Sequence, residues 1–130
     1  MTDTKLDQFT LAYIECALWS SNDESDESGG KPIDRNYSID DLAPETLAAM
    51  VEDCRKFQET HGEAIAASEA EGGEGFVQAG HDFWLTRNHH GAGFWDGDWP
   101  EPFASQITDA CHNYGEVNLY IGDDDKIYAA

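Results

Sequence analysis

The side chains best equipped for chemistry crowd into residues 80–99, GHDFWLTRNHHGAGFWDGDW. This stretch holds His81, His89 and His90, the carboxylates Asp82, Asp96 and Asp98, the cation Arg87 and three tryptophans. Imidazoles and carboxylates are ligand types for zinc and related ions. A hairpin turning near Asn88 and His89 would carry His81 and Asp82 toward Asp96. The set His81, Asp82, His89 and Asp96 could then support a metal-assisted hydrolytic site, and Asp82 with Asp96 could act as an acid–base carboxylate pair. Two features weigh against this. No tight two-ligand spacing of the HExxH kind is present. His89 and His90 are also adjacent, so on a strand their rings point apart. The plainer alternative is a polar turn with two solvated histidines, so no catalytic residue is assigned and no cofactor is expected.

Other chemistries find less support. Cys16, Cys54 and Cys111 are odd in number and far apart, which argues against a disulfide framework or a Cys-type zinc site. Each falls among apolar residues at helical spacing, as free buried thiols in a reducing compartment would. The glycine-rich runs at 72–75 and 91–93 carry no Lys and follow no clear strand, so the phosphate-binding fingerprints fail. Asp123–Asp125 lacks the alternating oxygens and distal Glu of a calcium loop and reads as a turn.

Charge is the strongest signal. The 130 residues include 27 Asp and Glu against 7 Lys and Arg, a formal net charge of -20. Such a surface repels nucleic-acid phosphates and anionic lipid headgroups, and it attracts basic protein surfaces. Neither direct nucleic-acid binding nor membrane association is expected. If residues from Thr46 onward are helical, Glu45, Glu52 and Glu59 recur at a heptad interval, and Glu63 extends the row by one turn. That row could compete for a DNA-binding groove on another protein, or simply be a solvated helix face. Arg87 among tryptophans has the composition of an interface anchor, and Asn88, His89 and His90 would orient the contact. The structural alternative for Arg87 is an ion pair with Asp96 or Asp98 across the hairpin.

The elements that must position these groups follow from periodicity. Residues 5–19 place Leu6, Phe9, Tyr13, Cys16 and Ala17 at helical spacing. Residues 20–31 (SSNDESDESGGK) break that pattern, and 20–36 is expected to be a flexible loop. Ser38-Ile39-Asp40-Asp41 has the form of a capping box. A long stripe then runs through Leu47, Met50, Val51, Cys54, Phe57, His61 and Ile65 until the glycines near 72 end it. Residues 81–87 alternate as a strand would, with Phe83, Leu85 and Arg87 on one face, and with Phe94 and Trp95 they suggest a hairpin. Residues 101–114 read as a helix with Gly115 at its end. Residues 117–121 and 126–128 read as a second hairpin. The expectation is one α+β domain over residues 1–130, an antiparallel sheet built from two hairpins and covered on one face by about three helices. The aromatics Phe83, Trp84, Phe94, Trp95, Trp99 and Phe103 would cover its core face. No apolar run approaches 18 residues and no basic-then-apolar leader opens the chain, which suggests the host-cell cytoplasm.

With APETLAAMVEDC upstream and GEVNLYIGDDDKIY downstream of the His81–Asp96 stretch, the chain resembles a group of small acidic proteins encoded by bacteriophages, prophages and plasmids. The likeness spans roughly residues 8–130 and is most specific from His81 to Asp96. It implies a mobile-element accessory protein and carries over no catalytic residue. By analogy with other small acidic proteins of such origin, it implies a DNA mimic that inhibits host defence. Set against this non-catalytic binding role are the small hydrolase built on residues 81–98 and a phage structural or assembly component.

Overall fold

The apolar stripe from Leu47 to Ile65 marks the longest element of the chain. The computed structural model describes residues 6–23, 31–73, 75–88, 94, 99 and 101–129. Four helices dominate: α1 (Gln8–Ser20), α2 (Pro44–Ala70), α3 (Phe76–Arg87) and α4 (Phe103–Asn113). Two separate two-stranded antiparallel ribbons accompany them, β1 (Asn22–Asp23) with β2 (Lys31–Pro32), and β3 (Leu119–Ile121) with β4 (Ile127–Ala129). Short 3-10 turns at Ile33–Arg35 and Ile39–Asp41 lead into α2.

The expected α+β architecture is therefore corrected. The fold is mostly helical, and among the described residues the ribbons do not join into a sheet that helices could cover. The decisive difference lies at residues 81–87, which are helical in α3. The strand reading split these residues between two faces, Phe83, Leu85 and Arg87 on one and Asp82, Trp84 and Thr86 on the other, yet Asp82, Phe83, Trp84, Thr86 and Arg87 are all buried. Asp82 accepts from the Trp99 indole at 2.7 Å and from Gln78 at 3.0 Å. The Thr86 hydroxyl accepts from the Phe94 amide at 3.0 Å. Buried polar groups with such partners are tolerated in a core. A helix covered on most sides shows no clean apolar stripe, and over seven residues its pattern imitates alternation.

Local signals explain the other helices. Asp7 caps α1, its carboxylate accepting from the Thr10 amide at 2.8 Å and from Gln58 of α2 at 3.1 Å. The Ser38–Asp41 capping box forms, but it opens the 3-10 turn at Ile39–Asp41 and not α2. α2 begins with Pro44 at its first turn, and the preceding Ala43 amide donates to the Ile127 carbonyl at 3.0 Å, which ties β4 to the helix start. Gly72 at φ 84° turns the chain out of α2. Gly115 at φ 79° does so after α4, donating to the His112 carbonyl at 3.1 Å. An L-residue with a Cβ seldom adopts that conformation. The second hairpin forms as expected, pairing Leu119 with Ala129 and Ile121 with Ile127.

α3 is the hub. Its Phe83 ring stacks on Phe57 of α2 at 4.2 Å between centroids, and it meets Tyr13 of α1 at 5.1 Å and Tyr114 at 5.0 Å. Gly80 lets α3 approach α1 closely, since a Cβ there would collide with the Phe9 carbonyl oxygen. Of the aromatics expected in a core, Phe83, Trp84, Phe94 and Trp99 are buried and Phe103 is half-buried. Trp95 lies outside the described residues.

Candidate functional site

Arg87, expected at a binding surface, is buried at 3% exposure. Its Nε donates to the Gly115 carbonyl at 2.8 Å and its Nη2 to the Tyr114 carbonyl at 2.9 Å. Nη1 donates to the Tyr13 hydroxyl and to Asp53 Oδ2, both at 2.9 Å. The guanidinium also lies over the Phe83 and Tyr114 rings, at 5.4 and 5.6 Å. Burial works against its charge, but Tyr13 and Asp53 outweigh it and hold the group above its usual range. Arg87 is thus a fastener between α1, α2, α3 and the end of α4. Its acidic partner is Asp53, where the sequence had suggested Asp96 or Asp98. Asp53 stands at the edge of the apolar stripe of α2, half-buried at 32% exposure, and nothing in its spacing singled it out from the other acids of that helix.

Asn88 is likewise occupied by the fold. Its amide donates to the Trp84 carbonyl at 2.9 Å, and its side-chain oxygen accepts from the Val117 amide at 2.8 Å. It pins the end of α3 to the approach to β3. His89 and His90 lie outside the described residues. So does Asp96, which leaves His81 and Asp82 as the described members of the metal set. These two are consecutive on a helix, about 100° apart around its axis, and Asp82 is committed to Trp99 and Gln78. Among the described residues no three His, Cys, Asp or Glu side chains gather as a metal site.

The three thiols are buried and free, on α1, α2 and α4. Burial, with a contribution from Asp82, pushes Cys16 up to about 12, and burial likewise raises Cys54 and Cys111. None is held as the thiolate that nucleophilic chemistry requires.

The carboxylate row exists as a helix face. Glu45, Glu52, Glu59 and Glu63 are all exposed on α2. Arg55 stands within it, forking to Glu52 at 2.7 Å and to Glu59 at 2.7 Å, while Lys56 lies 3.9 Å from Glu52. Among the described residues Glu45 and Glu63 are in no ion pair. Exposed carboxylates continue elsewhere: Glu15 on α1, Asp34 and Asp40 before α2, Asp109 on α4, and Asp123, Asp124 and Asp125 between β3 and β4. In that turn Asp124 accepts from the Lys126 amide at 3.1 Å and from the Tyr128 hydroxyl at 2.7 Å. The triplet is therefore built as a turn.

One surface was not foreseen. Trp19 and Leu11 of α1 remain 50% and 40% exposed. With Leu18, Tyr37 and Ile39 they line an open groove of about 390 Å³, rimmed by Glu15, Asp34 and Ser38. The spacing Leu11, Glu15, Trp19 is one helical face at successive turns, and it was legible as such.

No helix among the described residues is long and apolar enough to cross a membrane. No family model, curated protein or solved structure matches the chain.

Proposed function

We propose that this chain is a non-catalytic acidic accessory protein of a mobile element that binds the basic surface of a nucleic-acid-handling protein. The observation that supports this most is the disposition of charge. Against 27 acidic residues the chain has 7 cations, and three of those are used internally: Arg87 is buried against Asp53, and Arg55 and Lys56 are spent on Glu52 and Glu59. The negative groups meanwhile stand exposed on α1, α2, α4 and the β3–β4 turn. A concentrated negative field steers cationic partners and speeds their association.

In this reading the chain acts as a DNA mimic and occupies the groove of a host-defence protein. The α2 row takes part only in company. From Glu45 to Glu63 it spans roughly 27 Å at ~1.5 Å per residue, whereas duplex DNA carries a charge every ~1.7 Å. With Arg55 in its middle, the row needs the carboxylates of neighbouring elements to approach that density. Capture from host extract at low salt should recover a DNA-binding protein that duplex DNA displaces competitively. Its affinity should fall about tenfold or more toward ~0.15 M salt, as charge-driven contacts do. Recovery of no nucleic-acid-handling protein, or of one whose affinity ignores salt, would overturn the proposal.

A further inference from the structure

The groove on α1 is where apolar surface and unpaired charge coincide. Leu11, Glu15 and Trp19 follow one another at single-turn intervals on α1, so the Glu15 carboxylate stands one turn from the exposed indole. Tyr37 and Ile39 form the facing wall, Leu18 contributes to the floor, and Asp34 stands on the rim. No Lys or Arg among the described residues lines the groove. Among the described residues neither Glu15 nor Asp34 is in an ion pair.

Charge decides between the occupants such a groove could take. A second copy would bring another -20 against these carboxylates, and an anionic lipid surface would be repelled in the same way. A cationic protein segment meets both parts of the groove. An aromatic face next to a carboxylate suits a guanidinium, which stacks on the ring while pairing with the acid; an ammonium, a compact and strongly hydrated charge, does so less well. The apolar floor calls for an aliphatic side chain on the same segment. We propose that the α1 groove receives an arginine-bearing amphipathic segment of a basic protein, with the guanidinium against Trp19 and Glu15 and an aliphatic side chain on Leu11, Leu18 and Ile39. This rests on the reading that the partner is basic, and it adds the contact by which that partner is held.

The test is calorimetric titration of the intact protein with two synthetic amphipathic peptides, one of Leu and Arg and one with Lys for every Arg. A full-length basic DNA-binding protein is titrated in parallel. Trp19 and Glu15 are exposed, so Trp19→Ala and Glu15→Gln should fold, which circular dichroism verifies. The Leu/Arg peptide should bind at one site. Each variant should weaken it by about tenfold, and the Lys peptide should bind several-fold less tightly than its Arg counterpart. Gln106→Ala, exposed on α4, should leave the affinity within about twofold. Peptide binding indifferent to both variants, or no peptide binding at all, overturns the groove. If the basic protein then still binds, in a salt-sensitive manner, the wider reading stands without this contact. If it does not bind either, both fall together.

Discussion

The side chain on which most of the structure converges is Arg87. Four hydrogen bonds and two ring faces surround a guanidinium that is 3% exposed. Removing one partner of a buried ion pair typically costs ~3–5 kcal/mol, because the other charge and its neighbours lose their compensation. Here Asp53 keeps 32% exposure, so water can rescue it in part. Arg87→Met should therefore destabilise by about 3 kcal/mol, near the lower end of that range. Tyr13→Phe, which takes one acceptor from the charged guanidinium and leaves its other three partners in place, should cost about 1.5 kcal/mol. Urea unfolding of the two variants checks the order, and a Tyr13→Phe loss equal to that of Arg87→Met would contradict it. His61 offers a pH test. It lies against the Phe57 ring at 4.7 Å, and burial lowers its pKa from 6.5. The folded state thus binds this proton less readily than the unfolded chain. Its share of stability is complete above the unfolded value and is lost as pH falls through the lower folded one. The stability difference between wild type and His61→Gln should shift against wild type on acidification from neutrality to pH ~5. A difference that does not change with pH would exclude the effect.

At the scale of elements the test is the α1–α3 contact. A Cβ at Gly80 would collide with the Phe9 carbonyl oxygen, which is backbone and cannot swing aside. Gly80→Ala must push the two helices apart, at a cost of about 2–3 kcal/mol or more. Gly62 lies within α2, and a Cβ there meets nothing within 4 Å. Gly62→Ala should stabilise by about 0.5–1 kcal/mol through helix propensity. Thermal melts of the pair should move in opposite directions; a tolerated Gly80→Ala would mean that the helices are not so closely apposed. This junction also shows what the sequence could convey. α1, α2, α4 and the β3–β4 hairpin each keep one face in water, so their apolar positions repeat with a visible period. α3 is enclosed by α1, α2 and α4, and its buried polar residues Asp82, Thr86 and Arg87 break any stripe. Its identity depends on partners 8 to 74 residues away, which no local window contains. The candidate contacts divide in the same way. The α2 row was readable from a heptad interval. The burial of Arg87 was not, because it follows from how α1, α2 and α4 close around α3.

For the whole molecule, one variable should act on folding and on recognition with opposite sign. A net charge of -20 on 130 residues strains the compact state by self-repulsion. Added salt screens repulsion among exposed carboxylates over a Debye length of ~10 Å at 0.1 M. It screens the Arg87–Asp53 pair less, since the guanidinium is buried and Asp53 only partly exposed. The melting temperature should therefore rise with sodium chloride over the range in which affinity for a cationic partner falls. Choline chloride should reproduce the rise, which separates screening from specific cation binding. Neutralising Glu45 and Glu63, which among the described residues are in no ion pair, should raise the melting temperature at low salt and flatten its salt dependence. Glu52→Gln should not stabilise in this way, because it also strips Arg55 of a partner. A melting temperature that is flat or falls with salt would mean that the carboxylates are too dispersed to repel one another strongly. Surface charge that weak at short range could not hold a basic protein at longer range, so the same melting curve bears on both the stability of the fold and the proposed mode of binding.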